Sequence, residues 1–349
     1  MNPSLRFAPL QKLSPGDRVA VVSPSFAAPG RWPHVYELGL ERLRKLFQLE
    51  PLEYPTTKKL GASSEEKAQD LIAAFESPDV KAVISSIGGD DQVTWIKNLP
   101  AEPFRRNPKP FFGYSDNTHF MNFLWLLGVP SYYGGALFTE FAMQGRMDAM
   151  TERYLRCALF EGGAVELASS EEFNDIGLSW EEPSLLSVRR RYQPQEGWDW
   201  DGGGEFAGVT WGGCLESIDE LLRHRINIPS LSDFEEVILL LETSEEIPPA
   251  AYVYRVIRAL GELGILARIR GLLVGRPKAW EFDRQLSDDE KVAYKKEQRE
   301  VIVSGVRSYN PNVPIVQNLD FGHTAPQICI PVGSLCRIDG LHKRIVATF

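Results

Sequence analysis

Short apolar runs alternate with amphipathic stretches along the first 160 residues. Residues 18–23 hold a buried-type run, Val19 to Val22, bounded by Pro15-Gly16 and Pro24, which predicts a strand. Residues 35–47 place Leu38, Leu40, Leu43 and Leu46 near helical spacing, and residues 52–54 predict a second strand. A second helix is expected over residues 65–75. A third strand over residues 80–86 then runs into Gly88-Gly89-Asp90-Asp91. Phe111 and Phe112 open a fourth strand, followed by an amphipathic stretch over residues 118–127 and a strand over residues 129–133. Such alternation predicts an open, mostly parallel sheet with flanking helices, whose sites collect at the carboxyl ends of its strands.

The rhythm breaks over residues 169–205. This stretch is acidic, then basic at Arg189-Arg190-Arg191, carries Trp180, Trp198 and Trp200, and ends in Gly202-Gly203-Gly204. Long irregular segments of this kind are linkers or functional loops. Beyond it, strands are expected over residues 237–241, 271–274, 315–316, 328–331 and 344–347, and helices over residues 215–222, 251–263 and 288–306. The last strands are short and closely spaced, as in a small antiparallel or barrel-like sheet. The expectation is an α/β protein with two domains. An N-terminal domain spans residues 1–168, a linker residues 169–205, and a smaller C-terminal α/β domain residues 206–349.

A length of 349 residues suits two cores better than one. The net charge of −9, with no block of Lys or Arg, argues against nucleic acid and anionic membrane as partners. Four scattered cysteines, with no C-x-x-C pair and no zinc spacing, read as reduced thiols of a cytoplasmic protein. Residues 1–17 lack the apolar core of a signal peptide, and no segment reaches the ~18 apolar residues of a membrane helix. No H-E-x-x-H motif is present, so a zinc peptidase is not supported, and no cofactor is expected.

Three distant segments carry candidate chemistry. In Gly113-Tyr114-Ser115-Asp116-Asn117-Thr118, a strand, a tight turn and a helix start follow one another. This is the setting of a nucleophile elbow, although a serine at a helix start is also an ordinary N-cap, and Asn117 replaces the usual second glycine. Glu242 closes the apolar strand over residues 237–241; it is either a functional carboxylate or one arm of a structural ion pair. His323 lies in the turn Gly322-His323-Thr324-Ala325-Pro326, held but accessible, as a base or as a loop histidine bonded to backbone. Among five histidines its rival is His119, four residues beyond Ser115 on the same helix. A base there would have to bend back over the helix start, so His323 is preferred. Trp180 reads equally as a substrate-facing aromatic and as a pin for the linker.

Read together, these segments resemble the serine peptidases of the L,D-carboxypeptidase and microcin C immunity family. The resemblance rests on residues 16–25, Gly88-Gly89, residues 113–118, Trp211-Gly212-Gly213-Cys214-Leu215, Leu241-Glu242, Gly322-His323 and Pro331-Val332-Gly333, in family order along nearly the whole chain. It implies a Ser115–Glu242–His323 triad in a cleft between the domains, no metal, and a homodimer. A serine mechanism also needs two N–H donors for the oxyanion: Asp116, directly after the nucleophile, and Gly88 or Gly89, where absent side chains allow close approach. Family substrates are murein tetrapeptides, which lose D-Ala, and peptidyl or aminoacyl nucleotides of the microcin C type. Murein enzymes typically carry Arg-Gly-Gly-Tyr-Gly where this chain has Ile87-Gly88-Gly89-Asp90-Asp91. That departure, with the Trp-bearing loop, favours the nucleotide class, and Asp90 and Trp180 are the expected substrate contacts. A binding protein that keeps the cleft but not the catalysis is the reading from another class.

Overall fold

The computed structural model describes residues 5–349. Its first sheet contains β1 (Arg18–Val22), β2 (Glu50–Glu53), β3 (Val80–Ser85), β4 (Phe111–Gly113) and β5 (Ser131–Tyr133). These five run parallel in the order β5-β4-β3-β1-β2. Val19 to Val22 and Ala82 to Ile84 are buried. Strands covered on both faces need such continuous apolar runs, which is why the local pattern was readable. The helix Ser64–Glu76 starts at a capping box, in which Ser63 Oγ accepts the Glu66 N–H at 3.3 Å and Glu66 Oε2 accepts the Ser63 N–H at 3.0 Å.

The second sheet has eight strands. Four parallel ones, Glu205–Cys214, Val237–Glu242, Gly271–Gly275 and Ile315–Leu319, lie side by side at its centre. Leu335–Asp339, Arg344–Thr348 and Ala164–Glu166 extend one flank antiparallel, and Asp199–Asp201 pairs antiparallel on the other. The sheet is open: where a small barrel-like sheet was expected, the two terminal strands stay unpaired with each other.

Two short segments cross between the sheets. Ile330–Val332 leaves the C-terminal half of the chain to pair antiparallel with β5 of the first sheet. Ala164–Glu166 does the reverse, joining the second sheet from the N-terminal half. One contiguous apolar core packs both sheets. Among the described residues no helix is long and apolar enough to cross a membrane.

Candidate active site

β4 ends at Gly113, where a side chain would collide with Ser85 Oγ at 2.7 Å. Two residues later Ser115 takes φ +62°, a left-handed conformation that non-glycine residues avoid. The turn Ser115–Asn117 then feeds the helix Thr118–Leu126. A strained residue at a strand-to-helix turn is held by its surroundings, and here they are specific. Tyr133 Oη, at the end of β5, accepts the Ser115 N–H at 3.2 Å. The neighbouring Asp116 carboxylate is buried and accepts from Ser25 Oγ at 2.6 Å and from the Gln92 N–H at 3.2 Å. Burial pushes this carboxyl up, against the opposing pull of His119 and Ser25.

Glu242 ends the central strand Val237–Glu242 and faces the first sheet. Its Oε1 accepts from Tyr133 Oη at 2.5 Å, and its Oε2 lies 2.7 Å from His323 Nδ1. Two glycines make room for it. A Cβ at Gly322, itself at φ +96°, would sit 2.3 Å from Glu242 Oε2, and one at Gly275 would sit 2.7 Å from Glu242 Cβ. Glycine before His323 is therefore the condition for carboxylate and imidazole to meet. The His323 ring also packs edge-on to Tyr114, with centroids 4.9 Å apart. Its other nitrogen, Nε2, pairs with Glu245 Oε2 at 2.9 Å. Burial alone would push the imidazole down; Glu242 and Glu245 outweigh it and hold His323 up at about 10. Burial likewise opposes the charge on Glu245, yet His323 prevails and brings that carboxyl down to about 2.

Ser115 and His323 line one open cleft of about 760 Å³, together with Gly88, Gly89, Asp90 and Trp180. Glu242 stands behind His323, out of the cleft. A Cβ on Gly88 would meet Ser115 Cβ at 2.8 Å and the Asp116 nitrogen at 3.4 Å, so this glycine abuts the Ser115–Asp116 peptide. Gly89 is packed against Ser25 instead, where a Cβ would come within 2.7 Å of Ser25 Cβ. Trp180 is pinned and also lines the cleft. Its ring packs on Trp32 and Phe138 at 5.1 and 5.5 Å, its carbonyl bonds His34 at 2.8 Å, and a half-buried face borders the cleft.

His119 points elsewhere, with Nε2 3.0 Å from Glu220 and 3.4 Å from Asp116. Three residues of the site escaped the reading of the sequence. Tyr133 was legible only as the end of a strand, and Glu245 only as one acid in an acidic loop. Glu140, buried on the cleft wall, accepts the Ala136 N–H at 2.7 Å, and burial holds its carboxyl up at about 7. Among the described residues no group of three or more His, Cys, Asp or Glu could hold a metal ion.

Comparison with known proteins adds a lineage to this geometry. The LD-carboxypeptidase N-terminal domain model matches residues 19–134, and the LD-carboxypeptidase C-terminal domain model matches residues 207–338. YocD of Bacillus subtilis, provisionally named a carboxypeptidase, is 28% identical over 333 residues, covering 95% of each chain. The microcin C7 self-immunity protein MccF of Escherichia coli is 23% identical over 96% of this chain and 94% of its own. Among solved structures, an MccF-like protein from Streptococcus pneumoniae in complex with AMP superposes with TM-score 0.83 at 28% identity, over 95% of this chain and 98% of that one. MccF in complex with aspartyl sulfamoyl adenosine shares the fold, with TM-score 0.84 at 21% identity, over 97% of this chain and 98% of that one.

Proposed function

The chain belongs to the LD-carboxypeptidase family, and from that premise we propose that it is a serine amide hydrolase acting on aminoacyl or peptidyl nucleotides. One observation carries the reading: Ser115, held at φ +62° on a strand-to-helix turn, shares a cleft with His323, which is bonded from behind to Glu242 at 2.7 Å. In this mechanism neutral His323 accepts the Ser115 proton as Oγ attacks the amide carbonyl. Glu242 fixes the imidazole tautomer through Nδ1 and stabilises the imidazolium that forms. The oxyanion is received by the backbone N–H of Asp116 and one from the Gly88-Gly89 turn. His323 returns its proton to the leaving nitrogen, and water then hydrolyses the acyl-enzyme on Ser115.

The nucleotide class is favoured by the AMP bound to the pneumococcal relative and by the Trp180 ring bordering the cleft, a surface on which a base can stack. Arg190 and Lys278, which line the same cleft as His323, are the partners for a phosphate or carboxylate group. Purified protein, with Ser115→Ala as control, is incubated with an aminoacyl sulfamoyl adenosine and, separately, with a murein tetrapeptide, and cleavage is read by mass spectrometry. Serine-dependent cleavage of the nucleoside compound is expected. Release of D-Ala alone would assign the same triad to murein peptides, and no serine-dependent cleavage of either would leave the protein a binder.

A further inference from the structure

The base nitrogen of His323 is already taken. A histidine that deprotonates Ser115 must present Nε2 to the serine Oγ, because Nδ1 is bonded to Glu242. Here Nε2 is 2.9 Å from Glu245 Oε2. Glu245 stands three residues after Glu242, past the end of the strand, with half of its side chain exposed. It therefore reaches the imidazole from the cleft side, where substrate enters, whereas Glu242 is buried behind the ring.

Building on the serine-hydrolase reading, we propose that Glu245 is a positioning residue that competes with Ser115 for His323 Nε2, so that turnover requires this carboxylate to swing off the ring. The groups facing His323 are Glu242 and Glu245 on and beyond the strand, Tyr114 before the elbow, and Glu140 across the cleft. Lys278 in turn faces Glu245. Three of the four groups around the imidazole are carboxyls, but only Glu245 is both bonded to it and half exposed to the cleft. With Glu245 in place the ring is an imidazolium and cannot accept a proton. With Glu245 displaced, one counter-charge is lost, the proton leaves more readily, and Nε2 is open to Ser115. Loss of one opposite charge at this distance shifts a pKa by about 1–3 units.

The test uses the full chain and two readouts. The first is the midpoint of His323 by NMR titration of histidine-labelled protein, its signal identified by its loss in His323→Asn. The second is the rate at which a small phosphonofluoridate labels Ser115; Oγ attacks phosphorus, fluoride leaves, and the serine proton passes to the base. In Glu245→Gln the midpoint is expected to fall by about 1–3 units. Labelling near neutral pH should rise by about tenfold for each unit of that fall. Glu246→Gln, which removes a neighbouring cleft carboxylate without contact to the ring, should move neither readout appreciably. An unchanged midpoint in Glu245→Gln overturns the proposal, as does an equal fall in Glu246→Gln. A lower midpoint with slower labelling would also overturn it, since Glu245 would then assist the base rather than block it. If no variant, nor the unaltered protein, is labelled at any pH, the serine-hydrolase reading itself fails, whatever the titration shows.

Discussion

Tyr133 and Glu242 end strands of different sheets, and the tyrosine Oη donates to Glu242 Oε1 at 2.5 Å while accepting the Ser115 N–H at 3.2 Å. One phenol thus ties the elbow of the first sheet to the carboxylate of the second. Burial, and then the Glu242 charge, hold the phenol far above its ordinary range, so it stays a donor. Tyr133→Phe leaves a buried carboxylate short of one charge-assisted bond. We expect a stability loss of about 1.5–3 kcal/mol, read by chemical denaturation, and a fall in kcat with little change in KM. Unchanged kcat would confine Tyr133 to packing.

Gly88 tests the oxyanion assignment. A methyl group there would press on Ser115 Cβ at 2.8 Å and crowd the Asp116 nitrogen. Gly88→Ala should lower kcat by about 10²–10³ if the N–H donors are displaced, with KM nearly constant. A proportional rise in KM with normal kcat would instead mark Gly88 as part of the binding surface.

Stability should follow pH through the His323–Glu245 pair. His323 is raised from 6.5 to about 10, so its contribution is complete below pH 6.5 and is lost as pH rises through 10. Glu245 is lowered from 4.5 to about 2, so its contribution is present above pH 4.5 and is lost as pH falls through 2. Because Glu245 is half exposed, solvent screening holds the effect to the low end of the range expected for the His323 midpoint, about one unit, or roughly 1.4 kcal/mol. Thermal melts should show the unaltered protein losing more Tm between pH 6.5 and 10 than Glu245→Gln does. Parallel curves would mean that the pair adds nothing to folding.

Trp180→Ala should raise KM for a nucleoside-bearing substrate by up to the equivalent of about 1–3 kcal/mol, and for a murein peptide less. Since the ring also packs on Trp32 and Phe138, Trp180→Phe serves as the companion variant that keeps those contacts. Equal effects on both substrates would assign Trp180 to the wall alone.

Much of this site could be read before any contact was known, because its signals are local. An apolar run followed by Gly113, Ser115 and an amphipathic stretch states a strand, a turn and a helix within sixteen residues, 111–126. Apolar runs likewise announced the central strand that ends at Glu242 and the early strands β1 and β3. The strands flanking the centre of the second sheet were harder, and its central strand Glu205–Cys214 was missed as well. Leu335–Asp339 and Arg344–Thr348 alternate buried with more exposed positions, and the former was missed, as were Ala164–Glu166 and Asp199–Asp201. Short strands with mixed burial owe their conformation to their partner strands more than to their own residues.

By itself the sequence determined which residue types stand at strand ends, where the backbone can turn, and that Ser115, Glu242 and His323 are candidates for one chemistry. Tertiary structure alone decided that Glu242 reaches His323 through the space left by Gly275 and Gly322, and that Tyr133 bridges the two sheets. It alone decided, too, that Ile330–Val332 crosses to the first sheet and that Glu245 pairs with His323 Nε2. The division is physical. Hydrophobic periodicity and turn chemistry act over a few neighbouring residues, whereas Glu242 meets His323 across 81 residues of chain and Tyr133 across 109. These contacts exist only once the common core has brought the carboxyl ends of both sheets together.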